Sequence, residues 1–152
     1  MTTGKTIADH DQIIVERIKK EDGIILGKTS CPEFGHSGSN ESKIKDHCRN
    51  PWNLEFTSGG SSGGAAASVA VGVNTVAQGS DGGGSVRIPA SFCGLFGLIG
   101  TQGRIPRRHA GLMSWLPVNY SRIGPISWYV EDSALLFEVM AGPHSENESM
   151  TI

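Results

Sequence analysis

Two clusters rich in glycine and serine contain the residues of this sequence best suited to chemistry. Residues 59–64 include Ser61, residues 79–85 end in Ser85, and 24 positions separate these two serines. Each cluster precedes a segment predicted to be helical, where unpaired backbone N–H groups and the helix dipole favour negative charge. The glycines before Ser85 lack side chains, so successive N–H groups can converge on one point, as an oxyanion hole or an anion cradle requires.

Phosphate binding and acyl transfer both use a turn of this kind. A nucleoside-triphosphate loop requires a lysine directly after its glycines, and a dinucleotide-binding turn requires the pattern G-x-G-x-x-G. Neither cluster provides these residues in register. From the residues alone, anion binding and acyl transfer are almost equally well supported. Acyl transfer is slightly favoured because each cluster contains a serine.

A serine nucleophile needs a base, and the sequence offers no obvious one. The G-x-S-x-G turn of the α/β-hydrolases is absent, because Ser85 lacks the second glycine of that pattern. His36 and His109 have no recognisable partner, and each is interpreted as a loop histidine. A lysine kept neutral by desolvation can act instead, through a second serine.

The composition argues against several classes of protein. A charged fraction of 18%, a net charge of −2 and scattered Lys and Arg residues argue against a nucleic-acid surface. Three widely spaced cysteines without a C-x-x-C pair favour a reducing, cytoplasmic protein and argue against a zinc site. The longest uncharged stretch, residues 56–80, contains too much glycine and serine for a membrane span. We therefore predict no metal, no cofactor and no membrane contact.

The elements that must position the serines alternate between helix and strand. Helices are predicted at 9–22, 65–71, 86–92 and 131–140, and strands at 24–26, 75–78 and 95–99, with loops at 27–56 and 103–125. Gly23 is expected to end the first helix, and Ile24–Leu26 is interpreted as a strand buried on both faces. The alternation predicts an α/β fold with a largely parallel sheet.

Both clusters and their flanks closely resemble the amidase signature family. The resemblance rests on these stretches: Ile25–Thr29, Pro32–Phe34, Arg49–Trp52, Gly59–Gly64, Gly79–Gly94, Gly97–Leu98, Gly103–Arg104, Gly124–Ile126 and Val130–Ala134. It covers almost the whole chain, so residues 1–152 are interpreted as a partial amidase domain from the central signature region. The family's fold is α/β, with a mixed β-sheet core flanked by helices.

The resemblance implies hydrolysis of a small-molecule amide by a Ser–Ser–Lys mechanism. Ser85 matches the nucleophile, and Ser61 matches the relay serine, which in the family follows a cis peptide bond. The implied oxyanion hole comes from the N–H groups of Gly82, Gly83, Gly84 and Ser85. Three further residues match supporting positions of the family: Ser62, Asp81 and Arg87.

The catalytic lysine is the main departure from the family pattern. In the family it lies on a strand upstream of the first cluster, and this chain is expected to begin after that strand. Lys28 matches a structural position, while Lys19 and Lys20 are predicted on a solvent-facing helix surface. The chain is also expected to stop before the C-terminal half of the family. We therefore expect an incomplete site, marginal stability and no turnover by the chain alone.

Three interpretations remain open. The first is an amidase in lineage, supported by the stretch Leu116–Ser121. The second is the glutaminase subunit of a tRNA-dependent amidotransferase, which would have partner subunits and a link to nucleic acid. The third is a non-catalytic remnant, because the base is missing. A homo-oligomer is compatible with each of them.

Overall fold

Among the described residues, four α-helices pack with a small antiparallel sheet, and a short 3-10 helix (Glu33–Gly35) and a separate β-hairpin lie outside that sheet. The structure is a computed structural model that describes residues 7–43, 45–108 and 120–145. The helices are α1 (Ile13–Lys20), α2 (Gly63–Ala70), α3 (Arg87–Cys93) and α4 (Val130–Met140). The strands are β1 (Arg49–Asn50), β2 (Asn53–Thr57), β3 (Val76–Asp81), β4 (Phe96–Gly97) and β5 (Arg122–Ser127).

The sheet order differs from the sequence prediction. β5 is the central strand and pairs antiparallel with β3 on one side and with β4 on the other. β1 and β2 form the antiparallel hairpin. The α/β class is confirmed, but the largely parallel order was wrong: every strand pair among the described residues is antiparallel.

Small residues let α2 and α3 pack closely against the sheet. One core cluster consists of Ala65, Ala66, Ala70, Val86, Ala90, Cys93 and Ile126. Because Ala and Gly side chains add little bulk, the two helices that follow the glycine clusters approach each other and β5 directly. The clusters are thereby anchored at the N-terminal ends of two packed helices.

A second core cluster joins α1 to α4, to β5 and to the loop residue Ile105. It consists of Ile14, Ile105, Ile123 and Met140. Arg17 of α1 strengthens this contact, since its Nη1 donates to the carbonyl oxygens of Met140 and Ala141, both at 2.6 Å. These carbonyls lie at the end of α4, where helical acceptors are unpaired and a cation is favourable.

The N-terminal region departs most from the predicted elements. α1 is shorter than the predicted helix at 9–22, and Gln12 rather than Asp9 precedes it, without a side-chain cap. Asp22, with φ 57°, takes the left-handed position expected for Gly23. Gly23 instead donates its N–H to the carbonyl of Ile18 at 2.9 Å, as in a Schellman motif.

Residues 24–26 do not form the predicted buried strand. They belong to no strand of the described sheets, and Ile24, Ile25 and Leu26 are 88%, 43% and 66% exposed. No described helix is long and apolar enough to span a membrane.

Candidate active site

The turn that carries Ser85 is built around one buried carboxylate. Asp81 ends β3, and its side chain is 1% exposed. Its Oδ1 accepts the N–H of Gly84 at 2.6 Å, and its Oδ2 accepts the N–H of Val86 at 3.1 Å. The carboxylate therefore holds the backbone on both sides of Ser85.

Arg87 completes this arrangement from the first turn of α3. Its Nε and Nη2 donate to the two carboxylate oxygens of Asp81, both at 3.0 Å, and its backbone N–H donates at 3.3 Å. Burial alone would raise the pKa of Asp81. The hydrogen bonds from the Arg87 side chain and from three backbone N–H groups outweigh burial and lower this pKa to about 2. Asp81 is thus an anion that fixes the turn, not a proton donor.

Gly84 is required at its position by both conformation and space. Its φ of 125° lies in a region that side chains rarely adopt, and an added Cβ would lie 2.7 Å from Ile88 Cδ1. A bulkier residue would strain the backbone and displace the Ile88 side chain. The backbone conformation therefore favours glycine directly before Ser85.

The hydrogen bond to Asp81 occupies one of the N–H groups that the resemblance implies as oxyanion donors. Because the N–H of Gly84 already donates to Asp81 at 2.6 Å, it is not aimed at a ligand. In the part of the chain that the structure describes, no acceptor is bonded to the N–H groups of Gly82, Gly83 or Ser85. Gly82 and Gly83 are also exposed, so the available donors lie before and at Ser85.

The turn that carries Ser61 is closely packed. The peptide bond between Gly60 and Ser61 is cis, as the family resemblance implies. A side chain at Gly60 would lie 2.6 Å from the carbonyl oxygen of Ser37 and 2.8 Å from that of Ser39. Ser61 is 7% exposed. The segment before β1 therefore covers this turn and restricts access to the Ser61 hydroxyl.

Ser62 connects the two serine turns. Its backbone N–H donates to the carbonyl of Ser85 at 3.1 Å. Its Oγ accepts the N–H of Ser80 at 3.3 Å and donates to the Ser80 carbonyl at 3.4 Å. A side chain at Gly79 would lie 2.6 Å from Ser62 Oγ, so glycine is needed for this close approach. The structure brings the predicted residues of both clusters into one site.

Comparison with known proteins agrees with this geometry. The sequence matches the amidase family over residues 3–151. The chain belongs to the amidase family.

Its relatives are longer proteins. The chain is 46% identical over 136 residues to a glutamyl-tRNA(Gln) amidotransferase subunit of Methylacidiphilum infernorum, covering 90% of this chain and 27% of that protein. It is 43% identical over 137 residues to an acylamidase of Rhodococcus erythropolis, covering 90% of this chain and 28% of that protein. Its structure is similar to a bacterial aryl acylamidase of the amidase signature family, with a TM-score of 0.87, 36% identity and coverage of 97% of this chain and 30% of that one. The chain thus spans less than a third of each relative.

No described lysine of this amidase chain contacts Ser61. The five lysines within the described ranges are all exposed, and Lys19 is bonded to Asp11 at 2.6 Å. Lys5 and His109 lie outside the described residues, and His36 is exposed. Within these ranges no group of His, Cys, Asp or Glu residues is arranged to hold a metal ion.

Asn40 is a supporting residue that sequence reasoning missed. It is fully buried, and its Nδ2 donates to the carbonyl of Ser30 at 3.0 Å while its N–H donates to Thr57 Oγ1 at 3.3 Å. A side chain at Gly63 would lie 2.5 Å from Asn40 Nδ2, so Asn40 lies directly against the start of α2. Its partners are 10 and 17 residues away in the sequence, and no local pattern indicates them.

Proposed function

We propose that this chain carries the nucleophile and the relay serine of an amidase that cleaves carbon–nitrogen amide bonds through a serine acyl-enzyme. One observation carries the proposal. The Ser62 N–H to Ser85 carbonyl bond joins the two serine turns, while Asp81 holds the nucleophile turn with the neighbouring N–H groups unbonded. An amide bound at this site would meet a serine hydroxyl and backbone donors together.

In this mechanism Ser85 Oγ attacks the amide carbonyl and passes its proton to Ser61. The N–H groups of Gly82, Gly83 and Ser85 stabilise the resulting oxyanion, and Gly84 is left out because its N–H is bonded to Asp81. The proton returns through Ser61 to the departing amine, and water then hydrolyses the acyl-enzyme. Asp81, Arg87 and Ser62 keep the two turns in place.

We propose that the base that serves Ser61 is none of the six lysines of this sequence, since Lys5 lies in the segment that resembles the loop after the family's catalytic-lysine strand. All five described lysines are exposed, and burial is what keeps a lysine neutral at physiological pH. The 152-residue chain alone should therefore show no turnover of a simple aryl amide such as 4-nitroacetanilide. Hydrolysis of this compound that Ser85→Ala abolishes would overturn this part of the proposal.

Covalent labelling tests the nucleophile without requiring turnover. A fluorophosphonate reagent needs one attack by a serine oxygen, which backbone oxyanion donors accelerate even when another catalytic group is missing. We expect slow labelling that peptide mapping places on Ser85 and that Ser85→Ala removes. Ser80→Ala is the matched control and should keep the label. Labelling spread evenly over several serines would contradict the proposal and favour a non-catalytic remnant.

A glutaminase component of an amidotransferase is the second candidate. The 46% identity to a glutamyl-tRNA(Gln) amidotransferase subunit supports it, against 43% to an acylamidase. The small difference between these values does not separate the two functions. Ammonia release from glutamine in the presence of amidotransferase partner subunits, without hydrolysis of aryl amides, would favour this candidate.

A further inference from the structure

A small cleft beside the sheet is lined by two arginines. Its walls come from the loop after β4 and from the start of β5, and they include Arg107, Ser121 and Arg122. No Asp or Glu of the described residues lines the cleft. Its enclosed part is small, on the scale of a water molecule or a carboxylate oxygen, and the rest opens to solvent. The cleft is therefore a small space with a positive charge.

Arg122 carries a buried donor that the chain does not satisfy. Among the described residues, its Nε is the one buried side-chain nitrogen or oxygen without a hydrogen-bond partner. A buried donor without an acceptor is destabilising, and native proteins leave few of them without a reason such as a ligand or an ion. The Nε–H of Arg122 is available to an acceptor that a ligand brings.

The carboxylate opposite Arg122 in the sheet is engaged elsewhere. Asp81 is the Cα partner of Arg122 in the pair of β3 and β5. Both oxygens of Asp81 accept hydrogen bonds from Arg87 and from the backbone of the Ser85 turn. Within the described ranges the ion pair of Asp81 is with Arg87. The sheet therefore does not neutralise the charge of Arg122.

Arg107 adds a second guanidinium to the same cleft. Its Nη1 donates to the carbonyl of Ser121 at 3.2 Å, which holds the side chain against the start of β5. Burial lowers the pKa of Arg107, because removal from water disfavours the charged guanidinium. An anion in the cleft would offset this penalty. Arginine suits a carboxylate in particular, because its planar guanidinium matches the two carboxylate oxygens.

The cleft borders the nucleophile turn. A Cβ built on Gly82 would lie 3.9 Å from the Cα and Cβ of Ser121, an ordinary packing distance, so Ser121 lies against the first glycine of the turn. We propose that this cleft binds a carboxylate through Arg107 and Arg122. The carboxylate belongs either to the amide substrate or to a separate small acid, and the recognition chemistry is the same in both cases. The proposal goes beyond the proposed function and does not depend on it.

Acetate tests the site, because it carries one carboxylate on a group small enough for the cleft. The backbone amide signals of Gly103 and Ile123, which line the cleft, would be followed by NMR while the chain is titrated with sodium acetate. Sodium chloride at equal ionic strength and acetamide, the neutral analogue, are the reference titrations. We expect a saturable shift of these signals with acetate and none with either reference.

Substitutions at Arg122 test which group binds the acetate. Arg122→Gln removes the charge and should raise the Kd for acetate at least roughly tenfold, as expected for loss of a charged hydrogen bond. Arg122→Lys keeps the charge without the planar fork and should recover only part of the affinity. The urea midpoint of Arg122→Gln should not fall, because the Nε has no partner in the chain. Arg104→Gln, at an exposed position of the same loop, is the matched control and should leave the Kd unchanged.

Fluorophosphonate labelling of Ser85 identifies the source of the carboxylate. If saturating acetate slows the labelling in the unaltered chain but not in Arg122→Gln, the cleft is part of the substrate site and the carboxylate is carried by the amide. If acetate binds and the labelling rate stays the same, the cleft is a separate site for a small acid.

The remaining outcomes overturn the proposal. These are a shift that does not saturate, an equal response to acetamide or chloride, and an unchanged Kd in Arg122→Gln. A urea midpoint that falls in Arg122→Gln would assign Arg122 a structural role and would also contradict the proposal. Each of these failures leaves the labelling of Ser85, and with it the proposed function, unaffected. Acetate binding to a chain whose Ser85 is not labelled would support the cleft and contradict the proposed function.

Discussion

The Ser85 turn and the segment 24–28 differ most in how far their backbone groups are hydrogen-bonded and their side chains buried. In the turn, the Asp81 carboxylate accepts hydrogen bonds from three backbone N–H groups and from the Nε and Nη2 of Arg87. In segment 24–28, no hydrogen bond from the described residues reaches the backbone, and Ile24, Ile25 and Leu26 are exposed. The sequence predicts order in both regions, but only the turn has its partners within a few residues. The difference shows that the Ser85 turn is held by partners close in sequence, whereas segment 24–28 has no hydrogen-bond partner among the described residues.

The largest expected effect comes from removal of the carboxylate. Asp81→Ala would leave the buried N–H groups of Gly84 and Val86 without an acceptor, and each unsatisfied group costs about 1–3 kcal/mol. We expect the free energy of unfolding to fall by roughly 3 kcal/mol or more, measured by urea denaturation. Asp46→Ala, at an exposed loop position, is the control and should change it by less than about 0.5 kcal/mol. Equal effects of the two substitutions would mean that Asp81 does not hold the turn.

The same carboxylate predicts a dependence of stability on pH. The pKa of Asp81 is lowered in the folded chain from its ordinary value of 3.8 to about 2. The anion therefore stabilises the fold fully above pH 3.8, and this contribution is lost as the pH falls through 2. Urea midpoints measured from about pH 5 to about pH 2 should fall for the unaltered chain and fall less for Asp81→Asn. Parallel curves for the two proteins would contradict this assignment.

The smallest effect on stability is expected in segment 24–28. Ile24→Lys together with Leu26→Lys should change the free energy of unfolding by less than about 0.5 kcal/mol, because neither side chain is packed. An exposed apolar segment with unpaired backbone groups is a site of association between chains, and charge blocks such pairing. Sedimentation velocity should therefore show concentration-dependent association of the unaltered chain and less of it in the double variant. A monodisperse, cooperatively melting unaltered chain would contradict the prediction.

The elements around the serines are largely predictable, because their signals are local. The helix after each glycine cluster begins within two residues of its predicted start, at Gly63 and Arg87. The cis bond before Ser61 and the supporting position of Asp81 follow from the family resemblance. The hydrogen bond from the Gly84 N–H to Asp81 is not predictable from the sequence, because the direction of one N–H group depends on the turn geometry.

The sheet is not predictable in the same way, because its central strand has no clear signal. β5 contains Gly124 and Pro125, residues that argue against a central strand. A side chain at Gly124 would collide with the carbonyl of Leu98, so the glycine allows a close approach of the chain. Pro125 donates no hydrogen bond but accepts one from the N–H of Leu98 at 3.1 Å. When β5 is not recognised in the sequence, the remaining alternation of helices and strands wrongly predicts a parallel sheet.

Hydrogen exchange of individual backbone amides, measured by NMR, tests the central claim most directly. The claim is that Asp81 holds the Ser85 turn while the N–H groups before Ser85 stay available to a ligand. We predict strong protection at Gly84 and Val86, exchange close to that of an unfolded peptide at Gly82 and Gly83, and loss of the protection in Asp81→Asn. Exchange at Gly84 and Val86 as fast as at Gly82 and Gly83 in the unaltered chain would contradict the account.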